Sequence, residues 1–156
     1  MRIYIPLTPR DLTTDITPRL VHAVTPQLKS TVPQEDEEGW EMIATLAAAD
    51  DSLRLLAQSQ ARRRMVCVAE VPERVLSLAD ELPSACRLTE ALPWQDVETI
   101  LVDEPGGEDL VDRAIAGDHD AFMATGDIDL MWYDIIERPA LAAELSSCAV
   151  RVQHGA

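Results

Sequence analysis

Carboxylates at the ends of predicted strands are the residues of this sequence best placed to do chemistry. Glu70 follows one apolar run, and Asp103 and Glu104 follow another. Open α/β sheets tend to bind ligands at the ends of their strands, where two carboxylates can act as general acid and general base. A small hydrolase-like enzyme would need Glu70 and Asp103 to converge in a pocket, with at least one raised carboxyl pKa. The alternative is that these acids are ordinary turn and capping residues.

The histidines are weaker candidates for catalysis or metal binding. His22 falls in a predicted strand, His119 in the acidic stretch GDHDAF and His154 in the last three residues, and none has a convincing partner. Residues 118–129 lack the alternating oxygen ligands and the central Gly of a calcium loop, so a solvated turn is preferred. The sequence also lacks a Gly-rich phosphate loop, a GxSxG elbow, an HExxH helix and a paired CxxC. We therefore expect no cofactor and no metal, and the sequence identifies no catalytic residue.

The strongest feature of the composition is its acidity. The 156 residues include 28 acids and 13 bases, for a net charge of −15, and residues 96–137 contain 13 acids but a single base, Arg113. Such a field repels nucleic-acid phosphates and anionic lipid, and it attracts a basic protein partner. We expect the acids of residues 103–112, including Asp109, to contribute to binding such a partner. The alternative is that the acidity only keeps the protein soluble.

Length and composition predict one compact domain with a substantial core, since 47% of the residues are apolar. No apolar run approaches the roughly 18 residues of a membrane span, and MRIYIPLTPRD does not resemble a signal peptide. We therefore expect a cytoplasmic protein. Cys67, Cys86 and Cys148 are odd in number and widely spaced, which favours buried, inert thiols over disulfides or a metal cluster.

Five segments have the residue pattern of strands. They are residues 2–7, 20–24, 65–71, 86–92 and 98–104. The valine-rich run 65–71 is expected at the centre of the sheet, covered on both faces, and 86–92 nearer an edge. Because predicted helices separate several of these strands, parallel pairs are plausible. The predicted fold is therefore α/β, with a mixed sheet of four to five strands packed by helices.

Several helix starts and one long helix are predicted between the strands. Thr8-Pro9 and Thr25-Pro26 are typical of an N-cap followed by the first helical residue. The main packing helix is predicted at 40–60, and shorter helices at 72–82 and 108–116. The apolar stripe of the helix predicted at 40–60 consists of Met42, Leu46, Ala49, Leu53 and Leu56. The basic triplet 62–64 is interpreted as the end of this helix, and anion binding is the less favoured alternative.

The segment DIDLMWYDIIER, residues 127–138, combines aromatic and acidic side chains and could form a second packing helix. If it is helical, Ile128, Met131, Trp132, Ile135 and Ile136 form one apolar face, so Trp132 is expected in the core. Tyr133 and the acids would then lie on the outward side. The alternative is a protein-pairing surface built on Tyr133 and its neighbours.

The order of several short motifs resembles a known family. MRIYIP, AVTP, SLRLL, the passage from RRR to VAEVP, DVETILVD and LMWY together resemble a family of uncharacterised actinobacterial proteins, a domain of unknown function. The resemblance covers nearly the whole chain. It implies a cytoplasmic single domain and assigns no activity and no site residue.

The preferred hypothesis for function is a non-catalytic interaction or regulatory protein with an acidic surface. A basic protein is the expected partner, nucleic acid and membranes are not, and a homo-oligomer is compatible with the sequence. The alternative is the small carboxylate enzyme. The candidate binding residues are the strand-end acids Glu70, Asp103 and Glu104, together with Asp109 and Tyr133.

Overall fold

Residues 1–155, which the computed structural model describes, form an antiparallel sheet of seven strands and five α-helices, with side chains described for residues 1–146. The strands are β1 (Arg2–Leu7), β2 (Arg19–Ala23), β3 (Met65–Glu70), β4 (Leu76–Leu78), β5 (Ala85–Leu88), β6 (Val97–Asp103) and β7 (Leu130–Asp134). The helices are α1 (Pro26–Thr31), α2 (Glu37–Leu56), α3 (Glu108–Ile115), α4 (His119–Ala124) and α5 (Arg138–Gly155). Across the sheet the strands lie in the order β4-β5-β2-β1-β3-β6-β7.

The α/β prediction is confirmed, but the prediction of a mixed sheet with parallel pairs is wrong. Strands β2 and β3 are joined through α2 and run in the same direction, yet β1 lies between them and pairs antiparallel with both. Strands β6 and β7 are also neighbours and antiparallel, although α3 and α4 lie between them in sequence. A helix between two strands therefore does not produce a parallel pair here. β1 lies between β2 and β3, and the chain passes through both α3 and α4 before it returns antiparallel to β6 as β7.

The predicted number of strands, four to five, is also too low. The five predicted strands are all present, with β5 shorter than predicted, and the two missed strands are the two edges of the sheet, β4 and β7. Residues 72–82 were predicted as a helix but form a 3-10 turn followed by β4, which pairs with β5. β4 is short and mostly exposed, so it carries little of the apolar pattern that identifies an interior strand. β7 is apolar, but the spacing of its apolar residues and those around it also fits a helix.

Alternate residues of the interior strands build two apolar layers. On one face Ile3, Ile5 and Leu7 of β1 pack with Met65 and Cys67 of β3 and, farther out, with the 3-10 turns and the start of α5. On the other face Tyr4, Val66 and Val68 pack under α2. Strand β3 is thus covered on both faces, as its valine-rich run predicts. It is an interior strand, but β1, not β3, occupies the centre of the sheet.

Helix α2 exists as predicted, but its buried face differs from the predicted stripe. It begins at Glu37, after the N-cap Asp36, and ends at Leu56. Near the middle of α2, the buried Ala44 and Ala48 pack on the sheet in one cluster with Tyr4 and Val68. The predicted stripe members Met42 and Leu46 are exposed, whereas Ala49, Leu53 and Leu56 are buried. Met42 and Leu46 overhang a part of the sheet that the helix does not cover.

The predicted helix over residues 127–138 is wrong. The segment is a 3-10 turn, the strand β7, a second 3-10 turn and the first residue of α5. Trp132 is 64% exposed and is not a core residue. Asp134 and Glu137 form a capping box that starts the second turn, so the apolar spacing across the segment spans several elements.

The helix caps and two of the cysteines agree with the sequence prediction. Thr8 and Asp11 form a capping box at a 3-10 turn, and the Thr25 hydroxyl accepts a hydrogen bond from the Leu28 amide at the start of α1. Cys67 and Cys86 are buried free thiols, while Cys148 lies outside the described side chains. In the described part of the chain, no helix has the length and apolarity that crossing a bilayer requires.

Candidate functional site

A groove opens between α2 and the β6–β7 end of the sheet, with a volume of about 790 Å³. Its floor is formed by Val68, Thr99 and Leu101, which face α2 from strands β3 and β6. The groove exists because α2 packs mainly on β1, β2 and β3, and among the described residues no helix packs closely on the corresponding face of β6 and β7. We call this concavity the α2–β7 groove.

Large apolar side chains form the walls of the α2–β7 groove. Met42 and Leu46 project from α2, and Trp132 projects from β7 opposite Leu101, its partner in the register of the sheet. Met42 is 57% exposed and Trp132 is 64% exposed. Exposed apolar groups of this size, gathered around one concavity, are typical of a binding surface.

Carboxylates line the α2–β7 groove. Glu38 and Glu41 project from α2, and Asp129 immediately precedes β7. Among the described side chains none of the three forms an ion pair. The cation that lines the groove, Arg2, is paired with Glu98 at 2.9 Å. The site therefore combines an apolar wall with unneutralised negative charge.

The strand-end carboxylates of the enzyme hypothesis do not converge. Glu70 lies at one end of β3, where it pairs with Arg2 in the register of the sheet. Asp103 lies beside Arg64, at the opposite end of the same strand. Because the length of β3 separates them, Glu70 and Asp103 cannot act together on one substrate, and the geometry that the enzyme hypothesis requires is absent.

Asp103 is held in a buried ion pair with Arg64. The carboxylate accepts hydrogen bonds from the Arg64 backbone N–H at 2.8 Å, from Nε at 2.9 Å and from Nη2 at 2.9 Å. Both side chains are almost fully buried. Burial raises the pKa of the Asp103 carboxyl, and the Arg64 guanidinium only partly offsets this effect. All the acceptor capacity that Asp103 presents is directed at the protein itself, so it is a structural group and not a ligand-binding one.

The remaining predicted binding residues lie apart from one another. The Glu104 N–H donates a hydrogen bond to the Asp129 carbonyl, and Asp109 is an exposed residue of α3 paired with Arg113 at 3.3 Å. The Tyr133 side chain packs against the main core, on the face of β7 opposite Trp132. None of these predicted residues lines the groove. The groove is lined instead by Trp132, which precedes Tyr133, and by Asp129, which accepts the hydrogen bond from Glu104.

The arginine triplet does not end α2, which stops at Leu56. Arg62 pairs with Asp112 at 2.6 Å, and Arg63 and Arg64 are buried. Arg63 donates from Nε to the Asp103 carbonyl and pairs with Glu144 of α5 at 3.3 Å. The three guanidinium groups therefore join the segment before β3 to β6, α3 and α5.

A buried Ser–His–Asp relay was missed from the sequence. His22 Nδ1 lies 2.7 Å from the Ser84 hydroxyl, and His22 Nε2 lies 2.6 Å from the Asp51 carboxylate. The residue types are those of a hydrolase triad, but Ser84 is 2% exposed, so a substrate has no access to its oxygen. The relay joins β2, α2 and the loop before β5. No local signal in the sequence indicates it, because its members are far apart along the chain.

The acidic stretch around His119 is not the predicted solvated turn. Asp118 caps α4, its carboxylate accepting from the Ala121 N–H, and exposed His119 begins the helix. Among the residues that the structure describes, no three His, Cys, Asp or Glu side chains are placed to share a metal ion. The side chain of His154 is outside the described set.

Fold and site together define an α/β protein with an antiparallel sheet and an open, acidic groove beside an edge strand. The chain belongs to DUF6912, a family of unknown function, whose model matches residues 1–142. This match agrees with the resemblance of the sequence motifs to an uncharacterised family. Searches of curated proteins and of solved structures returned no match.

Proposed function

We propose that this protein is a non-catalytic binding protein whose α2–β7 groove holds a cationic, partly apolar segment of a protein partner. The observation that carries the proposal is the exposed Trp132, placed beside unpaired carboxylates above an apolar floor. Tryptophan is enriched among the residues that dominate binding energies at protein interfaces. It also attracts Lys and Arg side chains to the face of its ring.

The charge of the groove selects for a basic segment. Glu38, Glu41 and Asp129 have no cationic partner of their own among the described side chains, and the whole chain carries a net charge of −15. Complementary charge accelerates encounter and excludes wrong partners. Phosphate backbones and anionic lipid would be repelled by the same field. A second copy of this chain would bring the same negative charge to the groove, which disfavours self-association there.

Photo-crosslinking from the groove tests this proposal. The photoreactive residue p-benzoylphenylalanine replaces Leu46 on the groove wall, and in a matched control it replaces Leu78, which is 96% exposed on β4 at the other edge of the sheet. We expect the Leu46 position to crosslink, in cells, to a segment rich in Lys and Arg that mass spectrometry can sequence. We expect no crosslink to that segment from the Leu78 position.

The charge requirement is tested in the same crosslinking experiment. Glu38→Gln, Glu41→Gln and Asp129→Asn together remove the negative lining without breaking an ion pair among the described side chains. We expect the triple variant to lose most of the crosslink, and the remaining binding to be insensitive to salt, because screening acts only on charged contacts. Equal capture by the triple variant, capture of an acidic segment, or capture only of another copy of the chain would each contradict the proposal.

A further inference from the structure

In the described part of the chain no strand pairs with the outer side of β7, and the backbone groups on that side point away from the sheet. The Glu104 N–H donates to the Asp129 carbonyl at 2.8 Å, which sets the alternation of the β6–β7 ladder. By this alternation the backbone groups of Met131 and Tyr133 face β6, and those of Leu130 and Trp132 face outward. The Thr99 hydroxyl donating to the Tyr133 carbonyl at 3.0 Å agrees with this assignment.

We infer that the partner segment binds as an eighth strand along β7, with its side chains reaching into the α2–β7 groove; this inference rests on the proposed function. Unpaired edge strands are templates for an added strand, and this mode of peptide recognition recurs in many proteins. β7 contains no proline and no bulge that would block pairing. The N–H and C=O groups of Leu130 and Trp132 are the groups that the added strand would meet.

The composition of the edge favours a cationic strand over a second copy of β7. Asp129 and Asp134 bracket the outward-facing positions, so two copies of β7 would place like charges together. The Asp134 N–H is already bonded to Glu137 at 2.8 Å, which limits the free edge to the stretch around Leu130 and Trp132. Charges on an edge strand commonly prevent pairing with another copy, and here they do so while attracting Lys or Arg.

The two faces of β7 define the side-chain pattern of the added strand. Leu130 and Trp132 point to the groove face, where the carboxylates lie, and Met131 points to the other face and is 40% exposed. Successive residues of a strand point to opposite faces. A segment that alternates basic and apolar residues would therefore place its cations in the groove and its apolar side chains against Met131.

The test uses a short peptide of alternating lysine and valine as the probe. Amide hydrogen exchange, followed by NMR on the full chain, should show slow exchange at Met131 and Tyr133 and fast exchange at Leu130 and Trp132 without peptide. With peptide at about ten times its Kd, exchange at Leu130 and Trp132 should slow about tenfold, because only the unbound fraction exchanges. The same peptide with alternate backbone nitrogens methylated should bind at least about tenfold more weakly, because it loses two or more hydrogen bonds.

A pair of variants tests the edge from the protein side. Leu130→Pro removes an outward N–H and leaves the ladder to β6 intact, which edge strands tolerate, whereas Leu130→Ala shortens the side chain and keeps the N–H. We expect the Leu130→Pro protein to bind the peptide about two- to tenfold more weakly than the Leu130→Ala protein does. Circular dichroism and the chemical shifts of β6 establish that both variants fold.

The outcomes separate this inference from the proposed function. If the lysine–valine peptide binds, but the methylated peptide binds equally well and Leu130 and Trp132 gain no protection, strand addition is overturned and the groove proposal stands. If the lysine–valine peptide does not bind, or if a glutamate–valine peptide binds equally well, the proposal of a cationic segment fails and strand addition fails with it.

Discussion

Asp103→Ala should lower the free energy of unfolding by about 3–5 kcal/mol, because it removes the carboxylate that pairs directly with the buried guanidinium of Arg64. The variant also removes the acceptor of the Arg64 backbone N–H. Among the described residues, the other hydrogen-bond partner of the guanidinium is the Thr125 carbonyl, at 2.9 Å from Nη2. A neutral carbonyl cannot replace a carboxylate that accepts three hydrogen bonds from the same residue.

Urea unfolding followed by circular dichroism measures this effect. The matched control is Asp109→Ala, which removes an exposed acid of α3 and should change the unfolding free energy by less than about 0.5 kcal/mol. The double variant Arg64→Met with Asp103→Leu should recover at least half of the loss, since replacing both charges removes the uncompensated ion. A loss below about 1 kcal/mol for Asp103→Ala would show that solvent reaches Arg64.

Trp94→Ala should be comparably destabilising, by about 3–5 kcal/mol. Trp94 is 5% exposed, and its Nε1 lies within hydrogen-bonding distance of the Asp11 and Thr14 carbonyls, at 3.1 and 2.7 Å. The guanidinium of Arg138 stacks on its ring at 5.1 Å from the centroid. Its removal therefore creates a cavity, takes the indole N–H away from two backbone carbonyls, and removes the ring on which the Arg138 guanidinium stacks.

Trp132→Ala is the matched control for Trp94→Ala. Because Trp132 is mostly exposed, its truncation should cost less than about 1 kcal/mol, even with the lower strand propensity of alanine. The same urea titration distinguishes the two substitutions. If Trp132→Ala were as costly as Trp94→Ala, Trp132 would have to be a core residue, and its proposed role in the wall of the groove would be contradicted.

The interior of the fold could be predicted from the sequence because burial on both faces leaves a strong pattern. The valine-rich run of β3 and the alternation of Ile3, Ile5 and Leu7 in β1 are direct consequences of their positions. The strand order could not be predicted, since which strands become neighbours depends on contacts between distant segments. The position of β1 between β2 and β3 is not encoded in any local stretch.

Residues 127–138 show why periodicity alone misled. The spacing of Ile128, Met131 and Trp132 fits a helix, yet the Asp134 capping box indicates that a new element starts in the middle of the segment. That signal, Asp followed three residues later by Glu, is present in the sequence. This signal divides the segment at Asp134, so that residues 130–134 can be recognised as a separate strand.

For the candidate site, the sequence predicts the negative charge but not the position of the groove or the residues that line it. The acidity that suggests a basic partner is visible in the composition, but the groove depends on where α2 stops covering the sheet. Glu38 and Glu41 come from outside the most acidic part of the chain, and Trp132 was expected in the core. The predicted acids Glu70 and Asp103 lie at opposite ends of the sheet because β6 runs antiparallel to β3, a direction that the sequence does not indicate.

The central position of β1 also determines when the protein can fold. The register of β1 pairs Arg2 with Glu70 of β3. The side of β1 that pairs with β3 therefore stays unpaired until β2, α1, α2 and β3 have all been synthesised. At about 5–20 residues per second, translation leaves this apolar strand half-paired for several seconds. Pairing over such a sequence separation is intrinsically slow, and it leaves apolar surface and an unpaired strand edge of the emerging chain exposed until β3 has left the ribosome.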